Sequence, residues 1–341
     1  MDVVPTTLPA GEAKVASKGF ALTQRTGRNC RDGDTLWHGG NVRISVPANI
    51  ESMRILGYGI KVKSAFVLAD GIEVGSEVPK LDLKVAVKSA ENNILHYAGF
   101  NIMSTQASFA LVISVPGGGR DLAIKTWNSL WVFWLLSLAC DVDCFSLYTV
   151  TETGADYGIA NHEITLTFGR VRSGTERRLT WARAHFNTFN ELIDEQKFST
   201  ALRYHGNAHH LRDIGARIML LWAGIECLLG VQGEQRSRVS LYSAILCGGS
   251  PSLRFKKLTE VKKAYDRRSQ VVHGGSVKHE EMEASAEFAA QLLRGLLRKC
   301  LELGRVPTPD EIDQTAVRGG NLRKARPTAI ASSPSPRAPS A

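Results

Sequence analysis

The spacing of apolar residues along this chain changes near residue 177 from mostly strand-like to helical, and this change predicts two domains of different class. Before it, the segments 42–46 (VRISV), 81–87 (LDLKVAV) and 164–168 (ITLTF) alternate apolar and polar residues, a period of two that is typical of half-buried β-strands. After it, apolar residues recur at intervals of three and four, which is typical of amphipathic α-helices. The 341 residues are enough for two domains of ordinary size.

Four regions follow from this pattern. Residues 1–35 lack clear periodicity and are predicted to form a poorly ordered arm. Residues 36–176 are predicted to form a mixed α+β domain, and residues 177–304 an all-α helical bundle. Residues 305–341 are rich in Pro, Ser, Ala and Arg, so we expect a linker and a disordered basic tail.

Helices are predicted in both domains. In the first, Trp127, Trp131 and Trp134 fall on one face of a helix at about 120–139, and we interpret this face as core packing. In the second domain, the clearest helical repeat of apolar residues spans 213–229 and is followed by Gly230, a typical C-terminal cap. The predicted helices of the second domain are 179–194, 198–210, 213–229, 236–246, 253–273 and 280–303.

A soluble, cytoplasmic protein is expected. The longest apolar stretch, residues 131–139, is shorter than the roughly 20 residues that cross a bilayer, and residues 1–19 lack the features of a signal peptide. No two of the six cysteines have the Cys-x-x-Cys spacing of a zinc knuckle. Cys227 and Cys300 fall on apolar faces of predicted helices, as free thiols do, and we interpret this as a reducing compartment. The net charge of +9 favours a polyanionic partner such as nucleic acid, although part of it lies in the tail.

The segment YDRRSQVVHG, residues 265–274, carries the residues with the clearest chemical potential. The guanidinium of Arg268 is suited to phosphate, and His273 can transfer protons near neutral pH. Together they could cleave RNA without a metal ion. Residues five apart lie about 140° apart on an ideal helix, so the pair needs either a bend at the glycines after His273 or a second chain across a two-fold axis.

Three segments together resemble the Apea-like branch of the HEPN superfamily, over about residues 196–304. They are WAGIECLL (222–229), SRVSLYSAIL (237–246) and YDRRSQVVHG (265–274). The resemblance implies an all-α, HEPN-like bundle that forms a homodimer. It also implies a metal-independent endoribonuclease that acts on RNA in phage (antiviral) defence, a toxin-like stress response or RNA processing.

The resemblance assigns the catalytic roles to Arg268 and His273. Glu226 matches the glutamate of the family's apolar helix, and Ser269 stands where many toxin-type members have Asn, Asp or His. Around this pair, Arg267 and Tyr265 are further supporting candidates. Each has an ordinary alternative: Arg267 as a solvated charge, Tyr265 as a core residue, Glu226 as half of a structural ion pair with Arg268 or Arg267, and His273 as a helix cap.

No cofactor and no metal are expected. His205, His209 and His210 form a His-x3-His-His cluster within a predicted helix, but no third metal ligand is obvious, and a polar helix surface is the preferred interpretation. The alternative function is a non-catalytic module that binds RNA or nucleotide or mediates dimerisation. In both cases the first domain would sense or position a target, and its partner or trigger is unknown.

Overall fold

In the computed structural model the chain divides into two compact units. The first comprises Met1–Ser199 with His209–Arg212, and the second comprises Thr200–Ala208 with Asp213–Ala341. The two are therefore an N-terminal unit of sheet and helices and a mostly helical C-terminal unit. The structure describes residues 35–39, 42–46, 49–90, 93–154, 156–160 and 168–325.

An antiparallel six-stranded sheet forms the centre of the first unit, in the order β5-β6-β7-β3-β8-β9. The strands β1 and β2 form a separate hairpin, and β4 pairs in parallel with β10. The strands of the described residues are β1 Thr35–Gly39, β2 Val42–Val46, β3 Ser52–Tyr58, β4 Ile60–Lys61, β5 Phe66–Ala69, β6 Ile72–Gly75, β7 Phe109–Ser114, β8 Phe145–Thr151, β9 Tyr157–Ile159 and β10 Arg172–Ser173.

Helices accompany these strands in the described part of the first unit. A 3-10 turn, Ser129–Trp131, separates the third helix from the fourth, and Trp131 is buried there. The helices are α1 Leu83–Ser89, α2 Ile94–Gln106, α3 Gly119–Asn128, α4 Val132–Cys140, α5 Glu176–Ala184 and α6 Phe186–Ile193.

Close packing at the middle of the sheet explains one glycine. At Gly57 on β3, a Cβ atom would lie 2.3 Å from the ring of Phe133 and 2.7 Å from the ring of Phe109. Both rings are buried. A side chain at this position would therefore displace core atoms that have no free space to enter.

Two of the strand predictions can be compared with the structure. Residues 42–46 form β2, as predicted, whereas the prediction of a strand at 81–87 is wrong because this segment forms α1. Asp82 caps that helix by accepting hydrogen bonds from the backbone N–H groups of Lys84 and Val85. In a segment this short, alternation is also compatible with one helical turn. The segment 164–167 lies outside the described residues.

The predicted helix at 120–139 is confirmed in outline as α3, the 3-10 turn and α4. Within the described residues, Gly119–Cys140 is the one segment long and apolar enough to cross a membrane, and it is mostly buried inside the protein. Such burial is typical of the core helix of a soluble protein.

Helices dominate the second unit. The segment α8 begins after Asp213, whose side chain accepts a hydrogen bond from the N–H of Ala216 at 2.6 Å, and ends at Gly230 in the left-handed conformation. The helices are α7 Gln196–Ala208, which begins in the first unit, α8 Ile214–Leu229, α9 Gln235–Cys247, α10 Pro251–Val272, α11 His279–Leu303 and α12 Pro309–Arg318.

The helices α8, α9, α10 and α11 pack against one another and enclose the core of this unit. Trp222 of α8 and Tyr242 of α9 are fully buried in it. The predicted helices 213–229, 236–246, 253–273 and 280–303 are confirmed to within two residues at each end. This region is therefore mostly helical, as predicted.

Three differences from the sequence prediction have local causes. The segment 179–194 forms two helices rather than one, because the chain bends at His185. Both helices belong to the first unit, where α5 packs on α4 and β5, although the pattern assigned them to the second domain. An unpredicted helix, α12, lies in the segment assigned as linker, where Thr308 and Glu311 form a capping box and Ile312 is buried.

Candidate functional site

The candidate site is built on the last turns of α10. The helix begins at Pro251 after the N-cap Ser250 and ends at Val272. His273 is the C-cap residue, and its backbone N–H donates to the carbonyl oxygen of Ser269 at 3.0 Å. Gly274 then has φ +72°, a conformation that glycine adopts readily. The chain therefore leaves the helix direction directly after His273.

Arg268 is positioned by one side chain of α8 and one of its own helix. Its Nη2 lies 3.7 Å from Oε1 of Glu226, and its guanidinium lies 5.3 Å from the centre of the Tyr265 ring. The Tyr265 hydroxyl donates a hydrogen bond to the same Glu226 oxygen at 3.1 Å. The ion pair remains partly open, since the side chains of Arg268 and Glu226 are 24% and 21% exposed. Glu226 therefore orients both partners from one carboxylate oxygen.

The electrostatics of this cluster follow from burial. Burial and the Glu226 carboxylate raise the pKa of the Tyr265 hydroxyl, while Arg268 partly opposes the shift. The neutral hydroxyl is thus favoured and remains a hydrogen-bond donor. Trp222 packs edge-on against the Tyr265 ring with centroids 5.2 Å apart.

Two buried donors in this cluster have no acceptor among the described residues. They are the indole Nε1 of Trp222 and the Nε of Arg268. A buried donor without a partner costs free energy, so an acceptor of negative charge that reached Arg268 would be favourable. The exposed part of the Arg268 side chain, 24% of its surface, is where such a group would have to approach.

Arg268 and His273, the predicted catalytic pair, have different surroundings: Arg268 pairs with Glu226 of α8. His273 is exposed, and within the described residues its side chain makes no hydrogen bond or ion pair. Arg267 and Ser269 lie on α10 and are partly exposed. The structure therefore brings Glu226, Tyr265 and Arg268 together and leaves His273 in solvent at the end of the same helix.

The sequence pattern did not reveal a short, two-bond ion pair at this helix. Arg236 on α9 donates to both carboxylate oxygens of Asp266, at 2.5 Å and 2.7 Å. Hydrogen bonding to Arg236 lowers the pKa of Asp266. The two residues are 30 positions apart and have no periodic relation, so only the packing of α9 on α10 identifies them as partners.

The histidine cluster does not have the geometry of one helix face. His205 is buried within α7, whereas α7 ends at Ala208 and His209 and His210 lie in the turn after it. The ring of His209 stacks on Phe145 with centroids 5.1 Å apart, and the rings of His209 and His210 are 3.7 Å apart. Among the described residues, no group of three or more His, Cys, Asp or Glu side chains could hold a metal ion.

Acid is expected to destabilise the first unit through His210. Burial, together with His209, lowers the pKa of this imidazole to about 3, against an opposing effect of Asp143. The unfolded value is about 6.5, so the folded pKa is the lower one. The contribution of neutral His210 to stability is therefore complete above about pH 6.5 and is lost as the pH falls from there towards 3.

This effect can be measured as the free energy of unfolding between pH 7 and pH 4. We expect His210→Gln to flatten the dependence over this range, because the glutamine does not titrate. The exposed His279, replaced as His279→Gln, is the control and should leave the slope unchanged. Equal slopes in the wild type and in His210→Gln would show that His210 is not the titrating group.

Comparison of the chain with protein-family models, with curated proteins and with solved structures finds no match.

Proposed function

We propose that this protein is a metal-independent endoribonuclease of HEPN type, acting in the cytoplasm. Arg268 would steady the scissile phosphate and His273 would transfer the proton. The observation that carries the proposal is the arrangement at the end of α10. There, a partly open guanidinium is oriented by Glu226 and Tyr265, and an exposed imidazole follows five residues later at the helix end.

The chemistry needs no group beyond these side chains and the RNA itself. The ribose 2′-hydroxyl attacks the adjacent phosphorus, the bond to the 5′-oxygen breaks, and the products carry a 2′,3′-cyclic phosphate and a 5′-hydroxyl. His273 takes the proton of the nucleophile or supplies one to the leaving oxygen. Arg268 stabilises the negative charge that builds on the phosphate oxygens.

A second copy of the chain completes the site in this proposal. Arg268 and His273 lie about 140° apart around an ideal helix, and Arg268 faces α8 whereas His273 is exposed. A two-fold axis would place His273 of one copy beside Arg268 of the other. The helical unit would form this homodimer, and the first unit would sense or position the target, in phage defence or a toxin-like stress response.

A second candidate function is a non-catalytic module that binds RNA or nucleotide or mediates dimerisation. The ion pair between Arg268 and Glu226 favours it, because a guanidinium held by a carboxylate can be purely structural. If the protein is such a module, RNA binding should depend on salt concentration and the bound RNA should not be cleaved. If the protein is the ribonuclease, incubation of RNA with it in EDTA should give fragments with 5′-hydroxyl ends.

Replacing Arg268 is the direct test of the proposal. We expect Arg268→Ala to lower the rate of RNA cleavage in EDTA about 10²-fold, as the loss of one charge-stabilising donor does. Arg203→Ala is the matched control. It is an exposed arginine on α7 that donates a hydrogen bond to Thr200 of its own helix, and its removal should leave the rate unchanged. Undiminished cleavage by Arg268→Ala would remove Arg268 from the mechanism.

A further inference from the structure

A row of three cations lies along the solvent face of α10, away from the candidate site. It consists of Lys256, Lys263 and Arg267, hereafter the α10 row. Spacings of seven and four residues place the three within about 40° of each other around the helix and over about 16 Å of its length. Lys256 and Lys263 are exposed and Arg267 is partly exposed. Arg268 lies about 120° away from the middle of the row.

Within the described residues, the three side chains of the α10 row make no ion pair and no hydrogen bond. Two other cations of the same helix, Lys257 and Arg254, are engaged by the fold, whereas Lys262 makes no ion pair and no hydrogen bond among the described residues. Lys257 pairs with Glu260 at 3.0 Å, and Arg254 donates to the carbonyl oxygen of Gly320 and to Oδ1 of Asn321. The charges of the row are therefore not used to stabilise the helical unit.

The acidic residues of α10 do not neutralise the row. The helix has two, Glu260 and Asp266. Glu260 is paired with Lys257, and Asp266 accepts both hydrogen bonds from Arg236. The row consequently presents about three uncompensated positive charges to solvent, which attracts a polyanion whose charges repeat along a line.

An exposed aromatic ring, Phe255, lies one residue before the N-terminal end of the row and about 100° from it around the helix. Phe255, next to Lys256, has 72% of its surface exposed and is the one aromatic among the exposed large apolar residues that the structure describes. An exposed phenyl ring beside an unpaired cation matches the surfaces on which unpaired bases stack. This combination distinguishes a single strand from a duplex, whose bases are already stacked.

We infer that the α10 row binds the phosphate backbone of a single RNA strand that continues to the site at the end of α10, with Phe255 stacked on one of its bases. The choice of RNA as the ligand rests on the proposed function, whereas the α10 row and the exposed ring of Phe255 are features of the structure itself. The charges fix the strand without reading its sequence. Binding is accordingly expected to depend strongly on salt and weakly on sequence.

Binding of a labelled single strand of 2′-O-methyl RNA to the full-length protein tests the inference, because this strand lacks the nucleophile and cannot be cleaved. The variant Lys256→Gln/Lys263→Gln/Arg267→Gln removes the α10 row. We expect the slope of log Kd against log salt to be smaller by about 2 in this variant, because each of the three lost phosphate contacts on a single strand contributes about 0.7. Phe255→Ala should weaken binding about five-fold or more and leave the slope unchanged.

The matched control is Lys80→Gln/Lys84→Gln/Lys88→Gln, which removes three exposed lysines at and before α1 in the first unit. It changes the net charge equally and should retain the wild-type slope. Equal slopes for the two triple variants would overturn the inference, because only the total charge would then matter. Equal affinity for a duplex, or full affinity in Phe255→Ala, would overturn the assignment to a single strand.

The outcomes separate this inference from the proposed function. Loss of slope in the α10 row variant, with no cleavage of ordinary RNA by the wild type, would support the row as a binding surface and contradict the ribonuclease. Cleavage by the wild type, with an unchanged slope in the α10 row variant, would support the ribonuclease and contradict the row. Binding of an acidic peptide in place of RNA would overturn the choice of ligand.

Discussion

His273→Ala is expected to lower RNA cleavage in EDTA by about 10²- to 10⁴-fold, the usual effect of removing a general acid or base. The imidazole is exposed at the end of α10, so its truncation removes no packed contact and the protein should remain folded. His273→Gln keeps a polar side chain that cannot transfer a proton, and it should be as inactive as the alanine variant. Initial rates on a labelled strand, with analysis of the product ends, measure the effect.

His279→Ala is the control, because His279 is a second exposed histidine at the start of the next helix. It should cleave at the wild-type rate. Wild-type activity in His273→Gln would show that His273 does not transfer the proton.

Mixing two inactive variants tests whether the site is shared between chains. In a dimer of Arg268→Ala with His273→Ala, one of the two shared sites contains both an arginine and a histidine. With random assembly about a quarter of the wild-type activity should return. If both groups acted within one chain, no dimer would contain an intact site and no activity would return.

The helical unit could be predicted from the sequence because its signals agree with one another. For α8, the apolar spacing, the N-cap Asp213 and the C-cap Gly230 indicate the same boundaries. For α1, alternating apolar and polar residues suggested a strand, whereas the segment forms a helix whose N-terminus is capped by Asp82. For α12, the capping box was present in the sequence, whereas its burial depends on residues distant along the chain, as the hydrogen bond from Tyr242 to Asp313 shows.

The candidate site was predictable in part. An acidic residue among apolar neighbours needs a partner, which indicated that Glu226 would meet Arg267 or Arg268, and the structure selects Arg268. The angle between Arg268 and His273 also followed from the helical repeat. The contacts of Tyr265 with Glu226 and of Arg236 with Asp266 did not follow, because they depend on how α8 and α9 pack on α10.

Trp222→Ala is expected to lower the free energy of unfolding of the helical unit by about 3–5 kcal/mol, the usual cost of truncating a large buried aromatic residue. Trp222 is 0% exposed, and its ring supports Tyr265. Met219, one turn earlier on α8, is 44% exposed, so Met219→Ala should change the same quantity by about 0.5 kcal/mol or less. Denaturant unfolding followed by circular dichroism at the helical band compares the two. Equal effects would mean that the face of α8 bearing Trp222 is not the packed one, and the support that Trp222 gives to Tyr265 beside Arg268 would be lost with it.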